Sequence, residues 1–139
     1  MTNEDELFLL LGKTVFESCH LEHAIGVLTA QLTGKPWDGP VKGAAVGTNI
    51  ADSKKLASAA GCKILDECEE AFDRRHQYVH GAWLLNDTEE GPSIFTFRTG
   101  RKGGPDKLER VSAEDLMDLA ATLRRLTEEV SSQIRQIAG

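Results

Sequence analysis

A single long apolar stripe constrains this chain more than any other feature. From Asp5 to Thr33, the positions Leu7, Leu11, Thr14, Ser18, Leu21, Ile25, Leu28 and Leu32 recur at alternating steps of four and three residues. Such steps gather on one face only in an α-helix, where each residue advances about 100° around the axis. The spacing predicts one helix of about eight turns whose stripe lies against a partner helix. Phe8, Val15, Phe16, Cys19 and Val27 add apolar residues off the stripe. The helix is therefore either central in the fold or shared with a second subunit.

The rest of the chain divides at its glycines and prolines. Gly34-Lys35-Pro36-Trp37-Asp38-Gly39-Pro40 ends the first helix, and Gly34 to Asn49 reads as a long connection. A second helix is expected from about Asp52 to His80, with Leu56, Ala60, Ile64, Cys68, Phe72, Arg75 and Val79 on its inner side and Gly61 as a place to kink or divide it. After Gly81 the period shortens. Residues 82–85 and 93–98 are two strand-like runs around the turn-rich 86–92, which predicts a small β-hairpin. A basic segment from Arg98 to Pro105 follows as a loop, and Ser112 opens a capping box with Asp115 in the usual Glu position. Leu116, Leu119, Ala120, Leu123, Leu126, Val130, Ile134 and Ile137 then mark a last amphipathic helix. The expected fold is mainly α, a single domain over 1–139 with three long helices in a bundle and a small hairpin inserted before the last.

Charge and cysteine content narrow the function. The 139 residues carry a net charge of −6, which excludes a general nucleic-acid coat, because cation contacts dominate affinity for phosphate. The charge is uneven: −4 over 1–40, −3 over 41–91, +3 over 92–111 and −2 over 112–139. Cys19, Cys62 and Cys68 are odd in number with no Cys-x-x-Cys pair, so neither a disulfide framework nor a thiolate zinc site is expected. The longest apolar run, Leu7 to Leu11, is five residues, and the start of the chain is acidic. A cytoplasmic protein with no membrane association and no cofactor is expected.

The sharpest chemical cluster is Asp73-Arg74-Arg75-His76-Gln77-Tyr78-Val79-His80-Gly81-Ala82-Trp83. Arg75 falls on the apolar stripe, and a guanidinium there needs an anion or a set of acceptors. Its partner is either a carboxylate such as Glu22 or Glu17, or the phosphate of a ligand, which suits the guanidinium fork. His80 stands where Gly81 would end the helix and can face solvent. On an ideal helix Arg75 and His80 point about 140° apart. They converge only through the length of the Arg side chain, a loosened last turn, or a second copy.

This string resembles the HEPN superfamily of small helical proteins, whose RNase members carry an Arg followed four to six residues later by a His. Here the motif is Arg75-x4-His80, or Arg74-x5-His80 in the other register, and the wider string looks like the Arg-polar-x3-His-Gly-x-Trp form of small bacterial members. Phe16-Glu17-Ser18-Cys19-His20-Leu21-Glu22-His23-Ala24-Ile25 resembles their first helix. The resemblance implies metal-independent endoribonuclease activity, with the ribose 2′-hydroxyl attacking the adjacent phosphate. In it His80 moves the proton, Arg75 meets the charge on the phosphate and His76 orients the pair. Arg74, Arg98, Arg101 and Lys102 are the candidates for holding RNA. A homodimer, in the setting of a toxin and its antitoxin, goes with this expectation.

Two other functions are compatible with the sequence. One is a non-catalytic HEPN-like module in which Arg75 and Glu22 form a structural ion pair and a groove receives a nucleotide or protein partner. The other is a metal-binding bundle that gathers His20, His23, His76 and His80. A P-loop is excluded, since Gly12-Lys13-Thr14 has Leu7 where the first glycine belongs, and Gly43-Ala44-Ala45-Val46-Gly47 lacks a glycine of the dinucleotide fingerprint.

Overall fold

A computed structural model gives the backbone of residues 3–80, 82–88, 91–98 and 104–139, and describes the side chains of 4–39, 42–80, 95–97, 104–106 and 108–139. The chain is mainly helical, with an antiparallel sheet placed before the last helix. Helix α1 spans Asn3–Thr33, and its stripe is the inner side of the fold: Leu7, Thr14, Ser18, Leu21, Ile25 and Leu28 are all buried. The hydroxyls on that stripe are satisfied locally, Thr14 donating to the Leu10 carbonyl at 2.9 Å and Ser18 to that of Val15 at 2.7 Å. Buried serine and threonine are tolerated within an apolar seam because the helix itself offers them carbonyls.

The segment between α1 and the sheet is more structured than its glycines suggest. A one-turn helix α2 occupies Gly39–Lys42, and α3 runs Val46–Lys54 inside the stretch expected to connect or to open the second helix. That helix, α4, starts at Ala59 and ends at His80. The division falls before Gly61, at Lys55 to Ser58. Ser58 acts as the N-terminal cap, its Oγ accepting from the Gly61 amide at 3.1 Å. On the near side of the break, Thr29 Oγ1 of α1 lies 2.7 Å from Ser53 Oγ and 3.1 Å from the Asn49 carbonyl, which anchors α3 to α1. The break resets the helical phase. Leu56 and Ala60, expected inside, are exposed, whereas Leu65, Cys68, Ala71, Phe72, Gln77 and Tyr78 face the core.

The sheet has the order β1-β2-β3, with β1 Ala82–Thr88, β2 Gly91–Arg98 and β3 Lys107–Val111. The first two form the expected hairpin. The third strand was not expected, because Lys107-Leu108-Glu109-Arg110-Val111 does not alternate cleanly in polarity; pairing with β2 imposes its conformation. Thr96 stands opposite Glu109 in that register and is fully buried, as is Val111, so this row of the sheet faces the helices. Gln77 of α4 donates to the Glu109 carboxylate and ties helix to sheet.

Helix α5, Ala113–Ala138, begins with the capping box: the Asp115 amide donates to Ser112 Oγ at 3.1 Å, and the Ser112 amide to Asp115 Oδ2 at 2.8 Å. Leu116, Leu119, Ala120, Leu123, Leu126 and Val130 line its buried side. Helix α1 packs most extensively against α5, and α4 covers α5 from another side. Thr14 reaches the Leu116 carbonyl at 3.3 Å, while Leu28, Leu32 and Ile137 share one small cavity at the far end, so α1 and α5 run in the same direction. Among the described residues, no helix is long and apolar enough to cross a membrane.

One polar atom in this interior is unmatched. Thr96 Oγ1 is buried without a hydrogen-bond partner among the described residues, and an unmatched buried hydroxyl costs about 1–3 kcal/mol. Thr96→Val is therefore expected to stabilise the protein by about 1 kcal/mol, read as a higher urea midpoint at unchanged slope. A lower midpoint would show that the hydroxyl is bonded in solution.

Candidate functional site

The end of α4 carries the cluster. Arg75 is half-buried and turned toward α1, where its Nε donates to Ser18 Oγ at 3.2 Å. Ser18 can accept because its own proton goes to the Val15 carbonyl. The expected carboxylate partner is not there: among the described residues neither Glu17 nor Glu22 forms an ion pair with Arg75. The bond to Ser18 uses Nε and leaves the outer edge of the guanidinium fork for an anion. Arg74, by contrast, lies over the buried Tyr78 ring, its guanidinium carbon 6.0 Å from the ring centroid, one turn along the same helix.

His80 is exposed at the last position of α4, and its ring packs on His76 one turn earlier, with centroids 4.6 Å apart at 47°. Because α4 remains helical to His80, no loosened last turn brings His80 round to Arg75. The two are related by the ordinary geometry of the helix, with His76 between them in angle. Of the residues expected to hold RNA, Arg98 has only its backbone described, at the end of β2, and Arg101 and Lys102 lie outside the described residues. Gly81 of the motif also lies outside them, as does the side chain of Trp83.

The four histidines do not gather in one cluster: only His76 and His80 pack on each other. His20 packs edge-on against Phe16 at 4.6 Å and His23 against Trp37 at 5.6 Å, both on α1 and its connection. Among the described residues no three potential ligands gather around a point that would hold a metal.

A second feature was not legible in the sequence. Trp37, which the sequence places only in the connection after the first helix, is half-buried between Gly26 of α1 and Gly43. A Cβ at Gly26 would overlap its ring, and one at Gly43 would stand 2.5 Å from its Nε1, so both glycines are needed for the indole to seat. Beside it opens a cavity of about 460 Å³ bordered by Thr29, Asn49, Lys35, Lys42 and Lys55. The signal was present only as two glycines whose relation to Trp37 depends on how the connection folds back.

Comparison with protein-family models, with curated proteins and with solved structures finds no match to this chain.

The cysteines divide by environment. Burial pushes the Cys68 thiol up to about 12, with Glu67 and Glu129 adding to the rise and Arg125 opposing it, whereas Cys19 is exposed. The folded protein keeps the Cys68 proton while the unfolded chain releases it near 9, so the unfolded state binds fewer protons in between. Stability is thus expected to fall as pH rises from 9 toward 12, and Cys68→Ala to remove that part of the slope in urea titrations at stepped pH. In native protein at pH 8, iodoacetamide followed by peptide mass mapping is expected to mark Cys19 and spare Cys68.

Proposed function

We propose that this protein is a metal-independent endoribonuclease of the HEPN type, acting as a homodimer of three-long-helix bundles and serving as the toxin of a toxin–antitoxin pair. The observation that carries the reading is the state of Arg75. A half-buried guanidinium is oriented by a neutral hydroxyl rather than neutralised by a carboxylate, on the same helix end as the His76–His80 pair, of which His80 is exposed. An ion pair would have committed the charge of Arg75 to structure; Ser18 orients it and leaves it available.

In the reaction the ribose 2′-oxygen forms a bond to the adjacent phosphorus and the bond from phosphorus to the 5′-oxygen breaks. The products are a 2′,3′-cyclic phosphate and a 5′-hydroxyl. His80 takes the 2′-proton or returns one to the leaving oxygen, the work of an imidazole that can both accept and donate a proton. Arg75 meets the negative charge that grows on the phosphate oxygens. His76, against the His80 ring, sets its orientation.

The dimer of this reading joins two copies through the ends of α4, so that His80 of one chain stands by Arg75 of the other. The apolar surface of α1 is a separate matter. Leu9 and Phe16 are 62% and 61% exposed, but Leu9 and Ser18 are nine residues apart, half a turn round the helix, so that surface faces away from Arg75. The non-catalytic alternative, a module binding a nucleotide or protein partner, has its support in the cavity beside Trp37.

Purified protein is expected to cut structured RNA in EDTA, leaving cyclic-phosphate ends, with His80→Ala slowed by about 10²–10⁴-fold. Mixing Arg75→Ala with His80→Ala protein is expected to restore cleavage that neither shows alone, because half of each site comes from each chain. Intact RNA, or equal cleavage by His80→Ala, would sink the reading in favour of the binding module.

A further inference from the structure

We infer that the cavity beside Trp37 binds a small phosphate monoester carried on an aromatic ring. The cavity lies toward the end of α1: Thr29, on its border, is about 16 Å along the helix from Ser18, so the cavity is a place apart from the α4 cluster. The inference does not rest on cleavage of RNA, and it gives the binding alternative a class of ligand.

The space is built rather than incidental. Its volume, about 460 Å³, falls within the range of small-molecule sites. One wall is the Trp37 indole, seated where Gly26 and Gly43 leave room for it. The Ala44 carbonyl collects the N–H groups on this side, accepting from Asn49 Nδ2 at 3.3 Å and from Trp37 Nε1 at 3.5 Å. The indole is thereby left to offer apolar ring surface, and Asn49 Oδ1 takes no part in that bond and remains an acceptor. Asn49 is itself 2% exposed, and its main-chain carbonyl lies 3.1 Å from Thr29 Oγ1, so this wall is fixed before any ligand arrives.

Charge says what the ring must carry. Lys35, Lys42 and Lys55 all border the cavity. Lys55 is paired with Asp52 at 3.8 Å, whereas Lys35 and Lys42 have no ion pair among the described residues. The three lysines against Asp38 and Asp52 leave the border at +1 in a chain of −6, a local excess that attracts an anion. Two unpaired ammonium groups, each a compact point charge with three donors, suit a doubly charged phosphate monoester better than a carboxylate. A neutral aromatic compound would leave the lysines unmatched, and free phosphate would leave the indole unmatched. A ligand that joins ring and phosphate meets both.

The test is isothermal titration calorimetry of the wild-type protein with 5′-AMP, phenyl phosphate, adenosine and inorganic phosphate. 5′-AMP is expected to bind about tenfold or more tightly than adenosine or inorganic phosphate, each of which lacks half of the match, and to raise the melting temperature. Phenyl phosphate binding as tightly as 5′-AMP would assign the site to aromatic phosphates in general, and weaker binding would narrow it to nucleotides; both uphold it. Lys35→Gln combined with Lys42→Gln, at exposed and unpaired positions, is expected to weaken 5′-AMP by about tenfold or more, with the melting temperature of the unliganded protein unchanged. Lys13→Gln, which removes an exposed charge elsewhere on α1, and His80→Ala are expected to bind as the wild type does. No binding of 5′-AMP or phenyl phosphate, equal binding of adenosine or of inorganic phosphate, or binding indifferent to the two lysines would overturn the site. Loss of binding in His80→Ala would overturn it as well, by assigning the nucleotide to the α4 cluster. None of these measurements reads RNA cleavage, so the site can fail with the nuclease standing, and the nuclease can fail with the site standing.

Discussion

The seam between α1 and α5 is the interaction on which the rest of the molecule depends. Leu7, Leu21, Ile25 and Leu28 on one helix and Leu116, Leu119, Leu123, Leu126 and Val130 on the other are buried to 3% exposure or less. Each such side chain contributes about 1.5–3 kcal/mol when removed from water. The ion pairs of Arg125 with Glu67 and Glu129 at the surface are worth about 0–1 kcal/mol apiece. Apolar burial therefore decides how the helices meet, and the ion pairs trim it. Because α1 and α5 run in the same direction, the chain must cross back between them, and α3, α4 and the sheet make up that return.

The candidate site is a by-product of this arrangement. Ser18 is on the buried stripe of α1 because a hydroxyl bonded to the carbonyl of Val15 is small and satisfied enough to sit there. Where α4 crosses that point, a Leu in place of Ser18 would have offered Arg75 nothing. The serine turns a packing contact into an orienting one, and the guanidinium keeps its charge. At the next turn the core ends: Tyr78 and Gln77 are buried, and His80 is already exposed. The step from buried to exposed within a few residues is what puts a half-buried guanidinium and an exposed imidazole on the same helix end, at the edge of the fold.

Much of the scaffold was legible in the sequence because the signals are local. The 3-4 spacing of α1 maps directly onto its buried residues, and the Ser112 to Asp115 box forms both of its hydrogen bonds. The second helix was legible only in its latter half. Lys55 to Ser58 lacks proline or glycine, so nothing in composition announced the turn there; it forms because Asn49, Ile50 and Ser53 are buried against α1 and because Ser58 can cap α4. Strand β3 was hidden for a related reason, since a charged five-residue segment becomes a strand when an existing hairpin offers it a free edge.

For function, the sequence by itself determined which chemical groups are available: Arg74, Arg75, His76 and His80 within one helical segment, and a basic stretch following it in an otherwise acidic chain. Residue order settles such matters because neighbours along a helix stay neighbours. Only the tertiary structure decided what those groups meet. It gave Arg75 the Ser18 hydroxyl in place of the Glu22 or Glu17 carboxylate, laid Arg74 over Tyr78, separated the histidines of α1 from those of α4, and seated Trp37 between Gly26 and Gly43. Each of these is a contact between residues remote in sequence or a choice among rotamers, and both depend on how the helices pack.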